Sequence, residues 1–118
     1  MIDLKSVLGK AALVVIDVQK GIVALGKFEP NSPAEVVANV SKLVGKFREV
    51  GSPVFLVHVA SIDGKDMLHP ILDQPPQWAS AQRSVDWAEF AEEIKPVADD
   101  IVITKHQWGA FYGTELDL

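Results

Sequence analysis

The chain has 118 residues, 48% of them hydrophobic and 23% charged, the balance of one globular domain rather than of a disordered chain. Eleven basic against sixteen acidic residues leave a net charge of −5, which provides no basic stripe for phosphates or an anionic bilayer and argues against nucleic-acid binding. Cysteine is absent, which removes disulfides, thiolate metal sites and a thiol nucleophile from these residues.

Met1-Ile2-Asp3-Leu4-Lys5 lacks the basic start and apolar stretch of a signal peptide. The apolar runs fall far short of the ~20 residues that span a bilayer, so no membrane partner and a cytoplasmic location are expected. Ala12-Leu13-Val14-Val15-Ile16-Asp17 is a β-branched run closed by a carboxylate. Continuous apolarity of this kind suits a strand of a parallel sheet covered on both faces. Lys20-Gly21-Ile22-Val23 follows with a single glycine, so the glycine-rich turn of a dinucleotide site is missing.

Next comes a fully signposted helix. Ser32 is an N-cap, Pro33 suits the first helical position, and Glu35 completes a capping box. Val36, Val37, Val40, Leu43, Val44, Phe47 and Val50 repeat at helical spacing, Lys46 and Arg48 sit at the negative end of the dipole, and Gly51 ends the helix. Val54 to Val59 is the second strand. Ile62 to Gln82 is an excursion punctuated by Gly64, Pro70, Pro75 and Pro76. Trp87, Phe90, Ala91 and Ile94 predict a short amphipathic helix between about Ser84 and Ala98, cut near Pro96. Asp100 to Lys105 is the third strand, and Thr114 reads as an N-cap opening a further helix.

Strand, helix, strand is a βαβ unit with a right-handed crossover. Two crossovers that move the same way across a sheet place both helices on one face and leave the other bare. Residues 1–118 are therefore expected to form the N-terminal portion of one doubly wound α/β domain, about three strands long. The remainder is absent or supplied by another chain.

In such sheets ligands bind outside the carboxyl ends of the strands. Asp17 and Lys105 end the first and third strands at that edge, where a carboxylate and an ammonium held together can transfer protons. His58 ends the second strand, Gln19 lies two residues beyond Asp17, and Trp108 and Phe111 offer aromatic walls for a flat ligand. The three histidines, His58, His69 and His106, are isolated in sequence. Three isolated histidines rarely make a metal site, so no metal or cofactor is expected.

Leu13-Val14-Val15-Ile16-Asp17-Val18-Gln19 and Val102-Ile103-Thr104-Lys105-His106-Gln107-Trp108-Gly109-Ala110-Phe111-Tyr112-Gly113-Thr114-Glu115-Leu116 together resemble the isochorismatase-like cysteine hydrolase family, as its N-terminal part. The resemblance implies a three-layer α-β-α, Rossmann-like parallel sheet of strand order 3-2-1-4-5-6. It implies hydrolysis of small molecules: nicotinamide, N-carbamoyl compounds, ureides or the vinyl ether of isochorismate. By the same resemblance Asp17 is the general base toward a cysteine nucleophile, Lys105 holds the carboxylate and the developing charge, and Gln19 lines the pocket. The family's cysteine position lies beyond Leu118, so residues 1–118 alone are expected to be inactive toward amides. Gln107 to Tyr112 departs from the family's commoner Arg-x-Ser-Ala-Phe pattern. The family's tendency to oligomerise implies self-association. The rival reading is a non-catalytic binding or assembly module that uses the bare sheet face.

Overall fold

A computed structural model describes residues 3–7, 10–75 and 82–118. Met1 and Ile2 of the amino-terminal reading, and residues 76–81 of the predicted excursion, lie outside the described residues. The elements are α1 (Leu4–Val7), β1 (Leu13–Ile16), α2 (Lys20–Val23), α3 (Pro33–Glu49), β2 (Val54–Val59), a 3-10 turn (Glu92–Ile94) and β3 (Ile101–Lys105). The three strands form one parallel sheet with β2 in the middle. This is the α/β architecture expected of the first half of the 3-2-1-4-5-6 order. Among the described residues no helix is long and apolar enough to cross a membrane.

α3 forms as its sequence dictates. The Ser32 hydroxyl accepts from the Glu35 N–H at 3.3 Å, and the Glu35 carboxylate accepts from the Ser32 N–H at 2.9 Å. These reciprocal bonds satisfy two amide groups that no helical carbonyl can reach, and the Ser32 backbone N–H holds the Glu35 carboxyl below its ordinary pKa. At the other end Gly51 takes a φ of +71°. Its N–H and that of Ser52 bond back to the carbonyls of Arg48 and Phe47, the Schellman closure that glycine permits. Val37 and Val44 bury against Val15, Val54 and Leu56, with Val40 and Phe47 packed beside them. Val36, Leu43 and Val50, the rest of the predicted stripe, stay exposed.

The helix expected between Ser84 and Ala98 is absent. Residues 85–88 form turns, Phe90 makes an isolated antiparallel bridge to Gln19, and only Glu92–Ile94 coils, as a 3-10 turn. The cause is tertiary pairing. The N–H groups of Lys20 and Gly21 bond the carbonyls of Glu89 and Trp87, and the Ala91 N–H bonds the Val18 carbonyl. Backbone groups committed across the molecule cannot close a helix with one another. Phe90, Ala91 and Ile94 still reach the core that contains α3. This crossover therefore packs on the expected face without the expected element.

The opposite face carries a smaller core of Val57, Ile103 and Ala110, with Phe55 and Leu116 packed on it. Residues 111–117 form turns rather than a helix. Thr114 nevertheless behaves as a cap, its hydroxyl accepting from the Leu116 N–H at 3.3 Å and donating to the Ala110 carbonyl at 2.5 Å.

Candidate active site

Asp17 is where β1 leaves the sheet. Its N–H still bonds the Val57 carbonyl at 3.0 Å, but its φ is +62°, in the left-handed region that aspartate tolerates better than most residues. The turn directs Val18 and Gln19 into the core. Lys105 ends β3 and is 2% exposed. Since β2 lies between β1 and β3, the two strand ends stand about 10 Å apart, a gap that a lysine arm spans. Lys105 Nζ donates to Asp17 Oδ2 at 3.0 Å and to the Trp108 carbonyl at 2.7 Å. A buried ammonium requires such a counter-charge.

The pair is not self-contained. Asp17 Oδ1 is buried and has no hydrogen-bond partner among the described residues. An ammonium has three donors, and two are engaged here. The pair therefore leaves one carboxylate oxygen with unused acceptor capacity beside a buried ammonium.

Gln19, expected at the pocket wall, is instead fully buried. Its Nε2 donates to the carbonyls of Val59 and Trp87 at 3.0 and 3.2 Å, and its Oε1 accepts from the Val59 N–H at 2.8 Å. Val59 is the register partner of Lys105. Gln19 thus clamps the turn after Asp17 to the strand position beside Lys105, with both of its amide N–H groups engaged there.

His58, also expected in the pocket, is spent on structure. Its Nδ1 donates to the Ala88 carbonyl at 2.6 Å, and Nε2 lies 2.9 Å from the Thr104 hydroxyl. Its ring stacks on Phe90 at 4.8 Å. A carbonyl only accepts, so Nδ1 carries a proton. Trp108 and Phe111 are 73% and 60% exposed and, with exposed Tyr112, stand on the surface beyond β3. Trp108 meets the pair through its backbone carbonyl, not its indole. His106 lies against the Ala60 carbonyl and Asp66, and His69 against the Gly64 carbonyl.

The cavity at this edge opens on the other side of Asp17. It is a cleft of about 320 Å³ lined by Asp17, Ile22, Phe28, Glu29, Asn31 and Val36, among others. The sequence reading did not single out Phe28 to Asn31. Their signal was available: a Gly26, Pro30, Asn31 loop returns from the carboxyl end of β1 to the start of α3, where a pocket of this fold belongs.

Residues 11–118 match the isochorismatase domain family. The uncharacterized isochorismatase family protein YwoC of Bacillus subtilis (strain 168) is 47% identical over 109 residues, covering 92% of this chain and 55% of its own. An isochorismatase family protein from Burkholderia thailandensis superposes with a TM-score of 0.78 at 42% identity, over 90% of this chain and 55% of its own. N-carbamoylsarcosine amidase from Thermoplasma acidophilum superposes with a TM-score of 0.58 at 27% identity, over 90% of this chain and 57% of its own. The chain thus spans about half the length of the relatives it matches. The matched stretch carries β1, Asp17, β3 and Lys105, and the chain belongs to the isochorismatase family, which includes hydrolases.

Proposed function

We propose that this chain supplies the proton-transfer half of a small-molecule hydrolase, with Asp17 as the acid–base group and Lys105 as the charge that fixes and stabilises it. The buried ammonium bonded to Asp17 Oδ2 while Oδ1 has no partner carries this reading. Two chemistries fit the pair. In C–N hydrolysis Asp17 takes the proton of a thiol, the thiolate attacks the carbonyl carbon, and the proton passes to the leaving nitrogen. The thioester is then cleaved by water. That thiol is not among these residues and would come from elsewhere in the protein or assembly. In vinyl-ether hydrolysis Asp17 delivers its proton to the vinyl carbon, and water adds to the oxocarbenium ion and releases the alcohol. The amidase relative supports the first. The protein is read as cytoplasmic and self-associating.

The test is turnover by the complete gene product of primary amides, N-carbamoyl compounds and a vinyl-ether substrate, in wild type and Asp17→Asn. Asparagine keeps the size and the tolerance of positive φ but cannot serve as the base. The expected result is a loss of about 100-fold or more in kcat, with little change in KM and an unchanged circular dichroism spectrum. Turnover within a few-fold of wild type overturns the assignment of Asp17.

The rival reading, a binding or assembly module, is favoured by one observation. Val14, Ile16 and Ile101 leave an apolar sheet face exposed. Absence of turnover on every substrate class, together with self-association through this face, would support it.

A further inference from the structure

Beyond the point where β1 leaves the sheet, the ladder continues through a side chain. The Leu13 N–H bonds the Pro53 carbonyl and the Asp17 N–H bonds the Val57 carbonyl, with the same offset in both. The next bond of that series would run from the backbone N–H of residue 19 to the Val59 carbonyl. The chain turns at Asp17 instead, at a φ of +62°. The Val59 carbonyl takes its bond from Gln19 Nε2 at 3.0 Å, and the Val59 N–H donates to Gln19 Oε1 at 2.8 Å. A primary amide carries the donor and the acceptor of a peptide group. The fully buried Gln19 side chain therefore takes the ladder position that its own backbone would hold in a longer strand.

The turn decides which face Asp17 serves. Alternate residues of a strand share a face. Kept extended, Asp17 would follow Val15 onto the face that α3 covers, whereas Lys105 follows Ile103 on the opposite face. The turn is what brings the carboxylate to Lys105 Nζ at 3.0 Å. Positive φ is costly for any residue with a side chain and persists where the surroundings hold it. We propose that Gln19 is a positioning residue, which by answering both ladder groups of Val59 keeps Asp17 in its left-handed turn and its carboxylate against Lys105. The catalytic consequence rests on Asp17 being the acid–base group of the proposed hydrolase. Without the amide, Val59 draws the β1 backbone back toward the extended strand and the carboxylate away from Lys105. The other backbone ties beyond Asp17, from Ala91 to Val18 and from Lys20 to Glu89, run to the segment before β3 rather than to β2. They retain the fold without fixing Asp17.

The test is made on the complete gene product with Gln19→Met, which keeps length and burial and removes all three bonds, and Gln19→Glu, which gives up the amide donors. The Nζ resonance of Lys105 reports the pair without turnover. Both variants are expected to move it in the direction that Asp17→Asn does. Both should lower kcat by about 10- to 100-fold with KM within about threefold of wild type. In an Asp17→Asn background Gln19→Met should cost less than about twofold more, because it acts through Asp17. An unmoved Lys105 resonance in folded variants, with the effect confined to a lower urea midpoint, overturns the proposal. So does failure of both variants to fold, which would make the side chain a general support of the core. The two readings fail separately. A moved Lys105 resonance with turnover indifferent to Asp17→Asn removes the hydrolase and keeps the clamp. Turnover that needs Asp17, with the Lys105 resonance indifferent to Gln19, does the reverse.

Discussion

Gly21 lies directly beneath the Trp87 indole. A Cβ at that position would stand 2.0 Å from Trp87 Cδ1, closer than any packed contact, so Gly21→Ala must displace the ring. The Arg83 guanidinium also lies over the ring, 4.1 Å from its centroid. Alanine gains about 1 kcal/mol of helix propensity in α2, but overpacking costs about 1–3 kcal/mol. Net destabilisation is therefore expected, read as a lower urea midpoint. The double variant with Trp87→Leu should recover most of it, and a midpoint unaffected by Gly21→Ala would show that the indole moves freely. Single residues were unevenly legible in the sequence. Asp17 and Lys105 could be read because each is a charge that ends an apolar run, and the fold places such ends together. The bracing role of Gln19 could not, because it depends on Val59 and Trp87, 40 and 68 residues away.

Elements were legible where their stop and start signals are local. β1, α3, β2 and β3 all appear within a residue or so of their expected ends, since capping, dipole and continuous apolarity are properties of neighbouring residues. The Ser84 to Ala98 segment has helical apolar spacing, but its backbone is claimed by the α2 turn. One tie between elements is testable by acid. Arg48, in the last turn of α3, donates Nε to Asp100 Oδ1 at 3.2 Å and Nη2 to the Lys95 carbonyl at 3.1 Å. The Asp100 side chain is 2% exposed and also accepts from the Val97 N–H at 3.0 Å. Burial raises the Asp100 pKa, but the Arg48 hydrogen bonds, the Val97 N–H and the Arg48 charge together outweigh it and leave it below its ordinary 3.8. A carboxyl depressed by folding contributes stability that is complete above about pH 4 and is lost as pH falls through its folded value. Asp100→Asn is expected to lower stability by about 2 kcal/mol at neutral pH. The gap to wild type should shrink in urea titrations carried below about pH 3. A gap that stays constant with pH would mean that the carboxylate charge contributes nothing.

At the scale of the whole molecule, the two sheet faces are unequal. α3, Phe90, Ala91 and Ile94 cover one. Among the described residues, the other is covered where Ala110 and Leu116 lie over Val57 and Ile103. The register puts Val14 beside Phe55 and Phe55 beside Ile101 on that same face, and Val14, Ile16 and Ile101 remain 39%, 44% and 42% exposed. The bare face followed from strand content and crossover direction alone, because continuous apolar strands with helices on one side leave the other unmet. Apolar area in one patch favours association, at roughly 25 cal/mol for each Å² removed from water. The purified 118-residue protein is expected to self-associate with rising concentration. A lysine at Val14 or Ile101 places a charge in the middle of the contact, where desolvating it costs more than the valine or isoleucine gained. Val14→Lys and Ile101→Lys should therefore shift sedimentation velocity profiles toward the monomer. Their urea midpoints should fall only modestly, since both side chains are already 39% and 42% exposed in the single chain. Association that survives both substitutions would assign it to a different surface, of which the exposed Trp108, Phe111 and Tyr112 beyond β3 are the next to substitute.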